Sequence, residues 1–363
     1  MPQIHADRRA RAQAKIAALP ADAALITSRP NVRYLSGLVS SNAALLLPAD
    51  GPCVLATDSR YEDAARRDCP DLELLSERFI EPALALLAAA RGLRVLAFEA
   101  QEMTVERHDE LAALEDAPGL VPSGRIIEDL RMVKDDAEIA LLARACAITG
   151  EALAAVLPAL RPGQTEREFA ILLERAMIDH GAEALAFDSI VASGPNGAIP
   201  HHRPGDRPFA AGDLITIDCG ARYGGYHADM TRTVALGEPA DWQREIYVLV
   251  ATAQRAGVDA ATVGTDVSAV DAAARDLIEA AGHGGHFRHG LGHGVGLEVH
   301  EAPTIGYART GTLVDRVPVT VEPGIYLPGR GGVRIEDTLV VRDAGAAGSP
   351  DMLTTTTREL LVL

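Results

Sequence analysis

Five residues in the C-terminal half of this 363-residue chain could hold a divalent metal and activate water: Asp218, Asp229, His293, Glu322 and Glu336. Asp218 and Asp229 flank the Gly-rich centre of Leu214-Ile-Thr-Ile-Asp-Cys-Gly-Ala-Arg-Tyr-Gly-Gly-Tyr-His-Ala-Asp-Met-Thr-Arg-Thr-Val, whose alternation of apolar and polar residues predicts a β-hairpin. A turn about Tyr223-Gly224 sets Asp218 opposite Asp229. Directly opposed side chains have Cβ atoms about 4.5–5.5 Å apart, so two carboxylates there repel unless a cation lies between them. A second hairpin, centred on Gly329, pairs Glu322 with Glu336 in the same way. Ile215, Ile217, Val321 and Ile335 place both pairs beside packed strands, where unpaired charge is costly. Four carboxylates and the His293 imidazole form a hard, oxygen-rich set suited to Mn²⁺, Co²⁺, Fe²⁺ or Zn²⁺. Their charge exceeds what one ion needs, and two ions about 3.5–4 Å apart, sharing bridging carboxylates, balance it. One such hairpin alone reads as surface acids in an acidic protein; two, with a His-rich strand, read as a metal centre.

Other histidines lie within reach in sequence. Pro200-His201-His202-Arg-Pro is a polar loop ahead of the first hairpin, and His289 and His300 bracket His293. Loop histidines are usually just solvated, but beside a metal centre an imidazole can donate to a developing oxyanion or carry a proton. Strict alternation would put His293 and His300 on opposite faces of a strand. The strand must therefore bend or end between them, which Gly290, Gly292, Gly294 and Gly296 permit.

The elements that deliver these residues occur twice. Asp135 or Asp136 can cap a helix running to about Leu157, and Thr165-Glu-Arg-Glu168 is a capping box opening a helix that stops at Gly181. A helix from about Asp241 to Ala256, then Gly264-Thr-Asp266 and a helix stopping at Gly282, repeat that plan. Each half ends in a carboxylate hairpin, so an internal duplication would set the hairpins about a pseudo-two-fold axis. The first third alternates short apolar runs (Ala24-Leu-Ile, Ala43-Ala-Leu-Leu-Leu-Pro, Arg94-Val-Leu-Ala-Phe) with helical stretches such as Glu81 to Arg91 and a Thr104-capped helix, an α/β pattern. Pro118-Gly119 and Pro122-Ser-Gly mark the change of style, placing the domain boundary at 124/125.

Composition narrows the class. A formal charge of −17, from 51 acids and 34 bases, argues against a nucleic-acid partner. No wholly apolar run approaches the roughly 18 residues of a membrane span, and the basic N-terminus lacks the apolar core of a secretory signal. Cys53, Cys69, Cys146 and Cys219 show no paired spacing, which points to reduced thiols and, with the rest, to a cytoplasmic protein free of membrane association.

The residues resemble the pita-bread metallopeptidases, a family that includes methionine aminopeptidase, aminopeptidase P, prolidase and the metal-free creatinase. Asn31-Val-Arg-Tyr-Leu-Ser-Gly and Thr57-Asp-Ser-Arg-Tyr look like the creatinase-type N-terminal domain, and Glu128-Asp-Leu-Arg-Met-Val-Lys-Asp-Asp-Ala-Glu-Ile like the linker that follows it. The resemblance implies an α/β N-terminal domain, residues 1–124, and an α+β pita-bread catalytic domain with an internal pseudo-two-fold repeat, residues 125–363. It implies two divalent metal ions, Mn, Co or Zn, held by Asp218, Asp229, His293, Glu322 and Glu336, none of which is missing. It also gives Glu322 a proton-transfer role, makes His201 and His300 the catalytic histidines, and places Arg334 and His289 on the active site of the proline-specific branch. The implied activity is an aminopeptidase P reaction on proline-containing peptides, cleaving the N-terminal Xaa-Pro bond, by a homodimer or higher homo-oligomer. The alternatives are a dipeptide-restricted prolidase and a non-catalytic binding protein on the same scaffold.

Overall fold

The computed structural model describes residues 2–343 and 350–363, and the chain divides into two compact units, Met1–Arg131 and Met132–Leu363. The first unit carries helices α1 (Pro2–Ile16) to α6 (Ile126–Met132) around six strands: β1 (Ala23–Ile26), β2 (Ala43–Pro48), β3 (Val54–Thr57), β4 (Glu73–Ser76), β5 (Val95–Phe98) and β6 (Gly119–Pro122). They form one mixed sheet in the order β4-β3-β2-β1-β5-β6. Its central strands are buried throughout, as their unbroken apolar runs require. The division between units falls seven residues beyond the expected 124/125, because α6 is tied to the first unit. Arg131 Nη1 donates to Asn31 Oδ1 (2.7 Å), and the amide of Asn31 donates to Glu99, a buried carboxylate that also accepts from the Thr27 and Ser28 backbone.

In the second unit, α7 (Asp136–Val156) and α8 (Glu166–Asp179) form one helix pair, and α9 (Asp241–Ala260) and α10 (Val267–Ala280) form another. Asp135 and Thr165 cap α7 and α8 as the sequence indicates, each closed by a Glu three residues on. By length and apolar character the helix over Asp136–Ala159 could cross a bilayer; here Leu142, Ile148, Ala152 and Leu153 are fully buried in the protein core. The first half-repeat supplies β7 (Ala184–Leu185), β8 (Ile190–Ser193), β9 (Leu214–Cys219), β10 (Ala221–Tyr223), β11 (Tyr226–His227) and β12 (Met230–Ala235). The second supplies β13 (Gly292–Gly294), β14 (Glu301–Ile305), β15 (Pro318–Val321), β16 (Gly324–Leu327), β17 (Gly331–Arg334) and β18 (Asp337–Val340), with β19 (Asp351–Met352) closing an edge. This is the duplicated α+β plan.

The two hairpins differ in how their register compares with expectation. The second pairs Tyr326 with Gly332 and Leu327 with Gly331 about Gly329, as expected. The same register holds between β15 and β18, so Glu322 and Glu336 stand across from each other where both strands break. The first hairpin turns at Gly224-Gly225, one residue later than expected. A two-residue hairpin loop of this kind needs positive φ at both central positions. Gly224 (57°) and Gly225 (85°) supply it, which Tyr223 as a turn residue would not do readily. Asp218 therefore faces Thr231, and Asp229 lies diagonally across from Asp218 on the same face rather than directly opposite it.

A candidate metal centre and active site

Thr231 and Thr233 of β12 join the two hairpins. Thr233 Oγ1 donates to Arg334 O and accepts from Arg334 N–H (3.0 and 3.2 Å), while Glu336 N–H donates to Thr231 O (3.1 Å). The clamp draws the carboxylates of both half-repeats together. Asp229, His293 and Glu336 each offer a ligand atom within 4.8 Å of the others. His293 Nε2 lies 3.4 Å from Glu322 Oε1 and 3.6 Å from Asp229 Oδ2. Asp218 joins through Arg334, whose Nη2 donates to Asp218 Oδ2 (2.7 Å).

The electrostatics call for a cation. Burial, and then the neighbouring acids, push Asp229 and Glu336 well above the usual carboxylate range. Burial likewise raises Glu322 to about 8, with Arg334 pulling against it and Asp218 adding to it. Burial lowers His293 to about 4. Its Nδ1 lies 3.0 Å from Gly294 O, and a proton there leaves the Nε2 lone pair facing the Glu322 and Asp229 carboxyl groups. Asp218 Oδ1 is buried with no hydrogen-bond partner. These observations, on hard donors converging in a largely buried site, fit a divalent metal.

β13 ends at Gly294 after a register shift, so the strand does break between His293 and His300. A Cβ on Gly292 would lie 2.0 Å from Thr320 O, and one on Gly294 2.1 Å from Ala302 O; only glycine admits this close strand approach. His300 then packs edge-on against His293, ring centroids 4.4 Å apart. Burial and then His201 lower the His300 pKa, and burial, Arg334 and, further down, Arg275 and His201 lower His289. His202 is drawn elsewhere, its Nε2 2.8 Å from Glu166 Oε2. His289 Nε2 lies 2.9 Å from Tyr326 Oη, which accepts from Arg334 Nη1 (2.9 Å).

Three contributors were not singled out from sequence. Tyr326 bridges His289 to Arg334, and its position four residues after Glu322 on a strand face was the available signal. Thr231 donates to Glu336 Oε2 (2.7 Å) and accepts from Arg334 Nε (3.0 Å), two residues after Asp229. Fully buried Glu166 organises the histidine loop by accepting from Ser193, Asn196 and Gly205. Although burial opposes it, hydrogen bonds from Asn196, His202 and Ser193 hold Glu166 below its ordinary range. No local pattern announces that role.

A duplicated α+β unit with a buried carboxylate and histidine centre, preceded by an α/β unit, defines a class of two-domain metallohydrolases with the pita-bread fold. The chain belongs to metallopeptidase family M24, whose model matches residues 140–343, and the Creatinase/Prolidase N-terminal domain model matches residues 8–133. The Xaa-Pro dipeptidase of Pyrococcus horikoshii is 36% identical over 341 residues, covering 94% of each chain. Among solved structures, the Xaa-Pro dipeptidase from Bacillus anthracis superposes with a TM-score of 0.94 at 34% identity, over 99% of this chain and 100% of that one. The X-Pro aminopeptidase from Thermotoga maritima gives 0.88 at 34% identity, over 96% and 99%. The family resemblance seen in the motifs is thus family membership.

Proposed function

We propose that this protein is a metal-dependent Xaa-Pro dipeptidase. The observation that carries the reading is the convergence of Asp218, Asp229, His293, Glu322 and Glu336 from both half-repeats, in a chain that matches an Xaa-Pro dipeptidase over 94% of its length. The motifs alone favoured aminopeptidase P; the relatives favour the dipeptide-restricted alternative, although an X-Pro aminopeptidase is also similar. A binding protein on the same scaffold is disfavoured because no ligand position is lost.

Those five residues would hold two divalent ions, Mn²⁺, Co²⁺ or Zn²⁺. Such ions supply Lewis-acid polarisation of the scissile carbonyl and a water nucleophile at neutral pH. The protein's residues do the rest. Glu322 takes the water proton and delivers it to the leaving imino nitrogen. His201 and His300 donate to the carbonyl oxygen as charge develops there. Arg334 fixes Asp218 and, through Tyr326, His289, which faces the substrate. The Xaa-Pro bond is a tertiary amide without an N–H, so selection rests on pyrrolidine shape rather than on a backbone donor. The same reading has the enzyme working in the cytoplasm as a homodimer or higher assembly, testable by cell fractionation and light scattering.

The deciding experiment resupplies chelator-treated protein with each metal and offers an Xaa-Pro dipeptide, an Xaa-Pro tripeptide and a Met-Ala tripeptide. Metal-dependent cleavage confined to the dipeptide is expected. Release of the first residue from the Xaa-Pro tripeptide would restore the aminopeptidase P reading, and no cleavage with any metal bound would overturn both.

A further inference from the structure

Beyond the carboxylate centre, Gly282-His283-Gly-Gly-His286 brings two further imidazoles together. His283 starts the short 3-10 turn Gly284–His286, and His286 N–H donates back to His283 O at 2.8 Å. The fold-back leaves the two rings 5.4 Å apart between centroids, with their Nδ1 atoms separated by 3.3 Å. An N–H shared between the two rings would sit at the long end of the hydrogen-bond range. As the edge of a tetrahedral metal site the separation fits. With metal–nitrogen bonds of about 2.0–2.1 Å and a tetrahedral angle, two ligand nitrogens lie about 3.3–3.4 Å apart, whereas a right-angled pair at the same bond length would lie only about 2.9 Å apart.

The surroundings leave room for an ion and offer a third ligand. A Cβ on Gly285 would meet nothing within 4 Å, so the turn between the imidazoles is open to solvent. A Cβ on Gly284 would lie 2.7 Å from Glu279 Cγ and 3.4 Å from its carboxyl carbon, so this exposed acid, at the end of α10, covers the same turn. None of the three residues touches the five-residue centre, and the peptidase chemistry does not use them.

We propose that His283 and His286 form a separate, peripheral site for a borderline metal ion such as Zn²⁺, bound through both Nδ1 atoms, with Glu279 and water completing a tetrahedron. Imidazole-rich sites suit Zn²⁺ over Mn²⁺, which prefers oxygen donors, and that contrast separates the new site from the carboxylate centre. The test is equilibrium dialysis of the chelator-treated full chain against Zn²⁺ and, separately, Mn²⁺, with the same measurement on His283→Ala and His286→Ala. Each variant should bind one Zn²⁺ equivalent fewer than wild type while keeping the wild-type Mn²⁺ stoichiometry and Mn²⁺-supported activity. Equal Zn²⁺ stoichiometry in all three proteins would overturn the proposal. Should an alanine variant not fold, ¹⁵N-histidine-labelled wild type decides: Zn²⁺ must shift two Nδ1 resonances, one missing from His283→Gln and the other from His286→Gln, and no such shift overturns the site.

Discussion

Lys134 and Glu301 form a buried ion pair beside the catalytic loop, and removing the lysine should be among the most damaging single changes outside the metal centre. Lys134 Nζ lies 2.7 Å from Glu301 Oε2, and the two side chains are 1% and 5% exposed. Glu301 Oε1 also accepts from the Glu298 backbone N–H (3.0 Å), so the carboxylate closes the loop that carries His300. Lys134→Met takes a buried cation away from that carboxylate, a change that costs about 3–5 kcal/mol in comparable sites, whereas replacing both partners is often close to neutral. Lys134→Met/Glu301→Gln keeps the acceptor for Glu298 and removes the carboxylate charge together with the lysine, so it should recover more than half of the loss. Urea unfolding can be read from Trp242, the chain's one tryptophan, which lies in the second unit under Arg330 (4.2 Å) and so reports that unit alone. A Lys134→Met protein within about 1 kcal/mol of wild type, or a double variant no more stable than the single one, would refute the assignment of stability to this pair.

Three further outcomes follow from the site. Thr231→Val removes the hydroxyl that holds both Glu336 and Arg334, and should weaken metal binding about 10–100-fold, with Thr231→Ser restoring it; a metal titration of the three proteins checks this. Because burial first, against the pull of Arg334 and helped by Asp218, holds Glu322 protonated up to about pH 8 in the metal-free protein, metal uptake at pH 7 should release at least one proton, and the Glu322 share of that release should fade above pH 8. Calorimetry in buffers of different ionisation enthalpy measures it. His289, lowered by burial and by Arg334 from 6.5 to about 4, is neutral when folded, so the unfolded chain takes up its proton first on acidification. Its contribution is therefore full above pH 6.5 and is lost as the pH falls towards 4, at about 1.4 kcal/mol per pH unit, and His289→Gln should flatten that part of the unfolding profile.

The elements and the ligand set were legible because they are written locally. Asp135 and Thr165 announce their helices by capping chemistry, and the second hairpin fell into register because its turn is centred on Gly329, which has positive φ (72°). The first hairpin shows where such reading stops. Tyr223-Gly224 and Gly224-Gly225 are adjacent choices, and moving the turn by one residue shifts every cross-strand partner by two. Asp218 stayed on the correct face because a shift of two preserves side-chain alternation, so the ligand set survived an error in the geometry.

What the sequence hid is the layer of residues that makes five dispersed ligands into one site. Thr231 reaches Glu336 across 105 positions, Arg334 reaches Asp218 across 116, and Glu166 reaches the His202 loop across 36. None of these pairs shares a strand or helix face, so no periodicity can reveal them; they exist only once the two half-repeats have docked. Three of the five ligands also sit where the ladders fail, Asp229 between β11 and β12, Glu322 between β15 and β16, and Glu336 between β17 and β18. A regular ladder would have spent its register on pairing strands. Breaking it at these points turns carboxylates from both hairpins inward, and the threonine and arginine hydrogen bonds that bridge the breaks fix where a cation can sit.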